Sequence, residues 1–395
     1  MISSRLVFAT FVLGVPALAA PTGKIGFVGA KGAQILNLQN GAVRSLPQGA
    51  RATTFTLSPQ GTAIYFVAAP GAKPSSDGSG TVASAMQSSV PYSSVKVLPG
   101  LRSQIPYSQD WSPGGTTLYI ATDKVTGAFV PVTGRLTPLK SLPGSFDATG
   151  RTMTYSSENQ VLVRNIASGQ ERVLFDIRKP APMFAALKAA KYPKKVEEFL
   201  PTTMGDLSSE TRNWQLSSPA MAPDGSRLYF ASNVGSGFGA AGNGSFALFA
   251  VDLKTYKLAV LSQVGTNFGR PPHIFQVSPD GQRLLMASSV HASAADNSCF
   301  VEIIDLLTQK SREVFLGVLP GSKDKANFLN SAVWSPDGKY VAVSGYFYDP
   351  AKAMDDYNGS WAEVKPTQYT TGIVDAATGK LVRTIKGATN LSWIK

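Results

Sequence analysis

The sequence predicts an all-β protein, a β-propeller of four-stranded antiparallel blades. Three observations carry this: a hairpin motif that recurs six times, a second hairpin that follows it, and two complementary blade fragments at the chain ends. The recurring hairpin comes first because a repeat of this length decides the architecture. Phe55 to Ala68 reads FTLSPQGTAIYFVA and Gln109 to Thr122 reads QDWSPGGTTLYIAT. Phe146 to Ser157 (FDATGRTMTYSS), Met221 to Ser232 (MAPDGSRLYFAS), Gln276 to Ser288 (QVSPDGQRLLMAS) and Val333 to Gly345 (VWSPDGKYVAVSG) repeat the pattern. Proline presets φ and glycine accepts positive φ, so each chain segment reverses tightly. The run that follows is β-branched and aromatic, as a buried strand requires. The turn glycines Gly61, Gly115, Gly150, Gly225, Gly281 and Gly338 recur with a period of about 55 residues. One short interval, Gly115 to Gly150, is followed by one long one, Gly150 to Gly225, which places an insertion there.

The second hairpin is visible in Phe249 to Val260, Val301 to Phe315, Thr371 to Ile385 and Val161 to Leu174, each a strand, a polar turn and a strand. Two hairpins make a blade of four strands. At the ends, Gly23 to Pro47 holds the second, third and fourth strands of a blade without a first. The last residues, Asn390 to Lys395 (NLSWIK), form a first strand with nothing after it. The two halves complement each other, so the termini are expected to share a blade and close the ring without a free sheet edge. Seven blades follow, or six if the Asp147 copy is not a full blade.

Composition agrees. Of 395 residues 43% are hydrophobic and 16% charged, enough for a packed core, while Gly 37 and Pro 26 favour turns over helices. One cysteine, Cys299, excludes an internal disulfide framework, and two histidines leave no histidine-rich metal site. Met1 to Ala20 reads MISSRLVFATFVLGVPALAA, with Arg5, a short apolar stretch and Ala17-Leu18-Ala19. That order is expected of a signal peptide over residues 1–19, followed by one propeller domain over 20–395, periplasmic or secreted. No other stretch is apolar enough to span a bilayer, so no transmembrane segment is expected after leader removal.

The Ser-Pro-Asp-Gly hairpins resemble those of TolB-like propellers of the periplasmic Tol–Pal system, of WD-repeat-like propellers and of the propeller of prolyl oligopeptidases. The resemblance covers nearly the whole chain after the leader and implies the fold, not an activity. The α/β domain that precedes the TolB propeller is not expected, because strands begin within a few residues of the cleavage signal. The Gly-x-Ser-x-Gly elbow of the oligopeptidases is missing from the sequence.

The long segments sort to one side of this architecture. Pro70 to Ser94, Val234 to Ser245, Ser289 to Ser298 and Tyr346 to Gln368 are read as second-to-third loops, and Ile177 to Asn213 as an elaborated link. Long loops on a rigid scaffold are where binding resides. A helical insertion is expected near residues 180–201, with Ala181 to Lys191 as its clearest part and Lys188, Lys191, Lys194 and Lys195 on its outer side. The segment YFYDPAKAMDDYNGSW combines Tyr348, Tyr357 and Trp361 with Asp355 and Asp356, a mixture suited to a peptide or a glycan. These nine residues are the candidate partner-binding set.

No catalytic, cofactor or metal residues are assigned. His273 and His291 lack a ligand neighbour at metal spacing, and no phosphate loop or HExxH occurs. The net charge of +12 is spread without a dense basic run, so nucleic acid is not expected, although weak attraction to an anionic envelope polymer or a lipid surface is. The reading is therefore an exported, non-enzymatic propeller that binds a protein or peptide of the cell envelope. Two alternatives stand beside it: a lactonase-like hydrolase with acids such as Asp110 and Asp147 in the central channel, and an envelope glycan binder using Tyr357 and Trp361.

Overall fold

The computed structural model describes residues 20–68, 82–104, 106, 108–122, 125–139, 144–157, 159–190, 216–233, 246–265, 274–291, 297–314, 326–348 and 369–394. It is a propeller of seven four-stranded sheets. Blade 1 joins the C-terminal strand Thr389–Ile394 to Lys24–Gly29, Gly32–Asn37 and Val43–Ser45. Blades 2 to 7 follow in chain order over residues 52–104, 108–138, 145–176, 220–265, 274–313 and 326–386. The Asp147 copy is a complete blade: Ser145–Phe146, Thr152–Ser157, Gln160–Asn165 and Glu171–Asp176 pair in order. Seven blades, not six, is the observed count.

The turns of blades 2, 3, 6 and 7 are built the same way. The serine before the proline takes a hydrogen bond from the start of the next strand. Thr62 N–H donates to Ser58 Oγ at 2.9 Å, Arg283 N–H to Ser278 Oγ at 2.9 Å and Tyr340 N–H to Ser335 Oγ at 2.9 Å. All three serines are buried, so the bond replaces water that cannot reach them. In blade 4 Asp147 takes over this task, accepting from the Arg151 and Thr152 N–H groups. The glycine that ends each turn has positive φ, between 61° at Gly115 and 85° at Gly61.

The core is divided into seven apolar clusters, one at each junction between neighbouring blades. Between blades 4 and 5, Phe175, Phe230 and Phe249 pack as a trio with ring centroids 4.8–6.0 Å apart. The cluster between blades 3 and 4 is the smallest, with Tyr119, Met153, Tyr155 and Leu162 buried. The expected helix forms as Ala181–Ala189 in the blade 4 to blade 5 link. Pro180 precedes it, and Met183 and Leu187 enter the blade 4–5 cluster. Lys188 is exposed, its ammonium 5.2 Å from the Phe184 ring.

Three loop expectations need correction; one is Tyr346 to Gln368, whose first three residues belong to the strand Tyr340–Tyr348. Pro70 to Ser94 is not one connection, because Val82–Ser88 is the third strand of blade 2, paired with Ala63–Ala68. Its small side chains disguise it in the sequence, yet Ala83 and Ala85 are fully buried beneath blade 3. Likewise Ser289 to Ser298 contains strand on both sides, with Ser289, Val290 and His291 paired to Cys299, Ser298 and Asn297.

The seam closes as the end fragments require. Ile25 pairs with Trp393 and Lys24 with Ile394. Alternation then sends the C-terminal strand's side chains both ways: Leu391 and Trp393 enter the blade 7–1 cluster, and Ile394 the blade 1–2 cluster. Trp393 stacks on Tyr340 at 6.5 Å and donates its Nε1–H to the Thr22 carbonyl at 3.0 Å. Gly23, at φ 93°, passes so close to the Ile394 carbonyl that a Cβ there would sit 2.2 Å from its oxygen. Trp393→Ala should lower unfolding stability by about 3–5 kcal/mol in denaturant melts, since it empties one junction and unpairs Thr22. A loss under 1 kcal/mol would show that the seam does not hold the ring.

Candidate functional site

In a four-stranded meander the first-to-second and third-to-fourth turns share one end of the sheet, and the other connections share the opposite end. The seven sheets therefore give the disc two different faces. One face is made only of tight turns. Its third-to-fourth turns in blades 5, 6 and 7 repeat an Asp-x-x-Thr device. The Asp252 carboxylate accepts from the Lys254 and Thr255 N–H groups and the Thr255 hydroxyl at 2.7–3.0 Å. Asp305 binds Leu307, Thr308 and the Thr308 hydroxyl in the same way, and Asp375 binds Thr378. Backbone N–H donors, aided by the threonine hydroxyl, hold Asp252 and Asp305 below the ordinary carboxylate range. Asp252 and Asp305 are thus turn-closing carboxylates that stay ionised.

The other face carries the elaboration. Residues 69–81, 234–245, 292–296 and 349–368, which join second to third strands in blades 2, 5, 6 and 7, lie outside the described residues. Blades 1, 3 and 4 cross the same end with short connections. Of the candidate set, Lys188 is exposed on the helix of this face. Tyr348 ends the strand Tyr340–Tyr348 at the mouth of the 349–368 connection. Asp355, Asp356, Tyr357, Trp361, Lys191, Lys194 and Lys195 lie outside the described residues, as do His273 and the leader 1–19.

Between the faces runs the channel, walled by the innermost strands. Their inner edges have no strand partner, so neighbouring blades stitch them. Leu57 N–H donates to Ser392 Oγ at 3.3 Å, Gln109 Nε2 to the Phe55 carbonyl at 2.9 Å and Gln276 Nε2 to the Ala332 carbonyl at 3.2 Å. Asp110, in the inner strand Ser108–Trp111, is the one carboxylate among the described inner-strand residues. Its side chain is solvent-exposed on the sheet face opposite Trp111, and one oxygen accepts from the Trp111 N–H at 2.8 Å. The protein around it displaces enough solvent to push its carboxyl up to about 6. Asp147, the other acid proposed for the channel, is spent on its own turn. Among the described residues no three His, Cys, Asp or Glu side chains gather at metal-binding distance. The converging set that a channel hydrolase needs is not assembled from the described residues.

No protein-family model matches the sequence, and no curated relative was found. Solved structures do resemble the chain. Superposition on a prolyl endopeptidase gives a TM-score of 0.51 at 12% identity, covering 94% of this chain and 49% of the other. The Cps50 (Swd1) propeller domain from Myceliophteria thermophila gives 0.47 at 14%, covering 87% and 88%. A putative TolB from Agrobacterium tumefaciens gives 0.39 at 12%, covering 75% and 87%. The chain spans about half the length of the endopeptidase, and likeness at these identities establishes the β-propeller fold alone. No helix among the described residues is long and apolar enough to cross a membrane.

A carboxyl whose folded value is raised binds more protons folded than unfolded between its two values. Its contribution favours folding at low pH and is lost as pH rises through about 6. Asp110→Asn should therefore raise the melting temperature at pH 7.5 and leave it nearly unchanged at pH 4. The gain should stay under about 1 kcal/mol because solvent screens the charge. An Asn variant less stable at pH 7.5 would mean that the Asp110 charge has a partner.

Proposed function

We propose that the protein is an exported, non-enzymatic binding module whose elaborated face takes a protein or peptide of the cell envelope. The observation that carries this reading is the segregation of connections. Four second-to-third connections and the helical link enter one end of the sheets, while the opposite end is made of short, hydrogen-bonded turns. A rigid ring with variable connections at one rim supports contact surfaces without constraining their sequence. The leader-like residues 1–19 support export, and the aromatic and acidic mixture of 346–361 supports peptide contact.

The test places a photo-crosslinking amino acid at Asn243 or Asn358 on the elaborated face, and at Thr133 or Thr308 on the tight-turn face, in cells making the full chain. One discrete protein adduct from the first pair and none from the second is expected. The same adduct from Thr133 and Thr308, without one from Asn243 and Asn358, would refute the assignment of the face.

A further inference from the structure

The tight-turn face has its own chemistry, independent of what the elaborated face binds. At the start of the outermost strand, every blade places one exposed cation on it: Arg44, Lys96, Arg135, Arg172, Lys257, Lys310 and Lys380 in blades 1 to 7. None of the seven is in an ion pair among the described residues. The acids of this face are engaged locally: Asp252, Asp305 and Asp375 accept hydrogen bonds from their own turns, and the exposed Glu171, Asp224, Asp280 and Asp337 each accept one from a neighbouring side chain, whereas the seven bases have no acidic partner among the described residues. Between the cations, apolar side chains stand at turn tips. Val132 is 89% exposed, Leu307 92% and Tyr256 43%, in blades 3, 6 and 5. Val132 and Leu307 gain little from the fold at that exposure, while Tyr256 carries the Arg172 guanidinium 3.4 Å above its ring.

We infer that this face docks flat on an anionic lipid surface. Three features favour a bilayer over a folded partner or a soluble polymer. The charges form a ring rather than a groove, so they match a plane of like charges. The turns bearing them are closed by hydrogen bonds, so docking orders nothing new. The apolar tips project outward beside the bases, an arrangement that lets a few side chains enter the acyl boundary while lysines meet headgroups. A soluble polyanion would use the bases but leave Leu307 and Val132 in water.

The experiment is flotation of the full chain with phosphatidylcholine vesicles, with and without phosphatidylglycerol, at low and high salt. Binding is expected only with phosphatidylglycerol, and it should weaken as salt rises. Lys257→Glu/Lys310→Glu/Lys380→Glu should reduce the bound fraction by about tenfold or more. Leu307→Asn/Val132→Asn should also reduce it, whereas Lys31→Glu/Lys188→Glu on the opposite face should not. All substituted positions are exposed, and unchanged circular dichroism and melting confirm folding. The inference is overturned if wild type ignores phosphatidylglycerol vesicles, if the opposite-face variant loses binding as much as the triple variant, or if the apolar pair binds like wild type. Binding to dextran sulfate without binding to vesicles also overturns it. The face assignment in the crosslinking experiment stands or falls separately, because its probes lie on different residues.

Discussion

Every blade of this protein is apolar on both faces, and neither face is buried within the blade. The seven clusters sit at junctions, so each sheet depends on two neighbours, and the ring has no independent core to fall back on. An open ring would expose two apolar sheet faces at once. The C-terminal strand prevents this by belonging to blade 1 in its hydrogen bonds and to two junctions in its side chains. Trp393 faces blade 7 and Ile394 faces blade 2. Residues 389–394 thus complete two of the seven wedges through contacts more than 300 residues apart in sequence.

The same requirement shapes the inner wall. A strand at the channel has one unpaired edge, and backbone groups there must find partners. Side-chain amides and hydroxyls from the next blade supply them: Gln109 reaches the Phe55 carbonyl, Gln276 the Ala332 carbonyl, and Ser331 Oγ the Leu391 N–H. Polar inner-strand residues are therefore explained by closure before any ligand is invoked. Asp110 is the exception. Among the described residues it makes no inter-blade bond of this kind, it lies beside the smallest junction, and it keeps a charge that its surroundings disfavour.

The hairpins were legible because their turns need particular residues. Proline and a positive-φ glycine cannot be disguised, and the Ser–backbone bond repeats with them. Strand limits were less legible where side chains are small. Val82–Ser88 reads as a Gly/Ser-rich loop continuing from residue 70, since Ala83 and Ala85 fill a junction without any hydrophobic bulk to announce it. Asp147 looked like a channel acid because sequence cannot tell a carboxylate that caps its own turn from one that faces a cavity. The candidate binding residues of 355–361 were chosen by residue type, and type alone does not bring them to one patch. The basic ring was hidden for a different reason. Its members are far apart in sequence, one to a blade, so they read as dispersed charge; only the repeat gathers Lys257, Lys310 and Lys380 onto one face.

A repeat fold copies position as well as structure, and this has a consequence for charge. In blades 5, 6 and 7 the lysine after the third-to-fourth turn, Lys257, Lys310 or Lys380, takes the same place, its carbonyl accepting from the N–H of the turn aspartate. Modest selection at each turn therefore sums to a ring of charge, without a basic run that would disorder the chain. The acids cannot follow the same course, because Asp252, Asp305 and Asp375 are needed to fold the turns and are held by N–H donors. On this face the carboxylates are held by turn hydrogen bonds, while the seven cations have no acidic partner among the described residues. The elaborated face is not built by copying: its connections differ in length and residue content from blade to blade. Uniform charge suits a uniform surface, and varied loops suit a specific one. A disc resting on its tight-turn side would hold the varied rim away from that surface, where a partner can reach it.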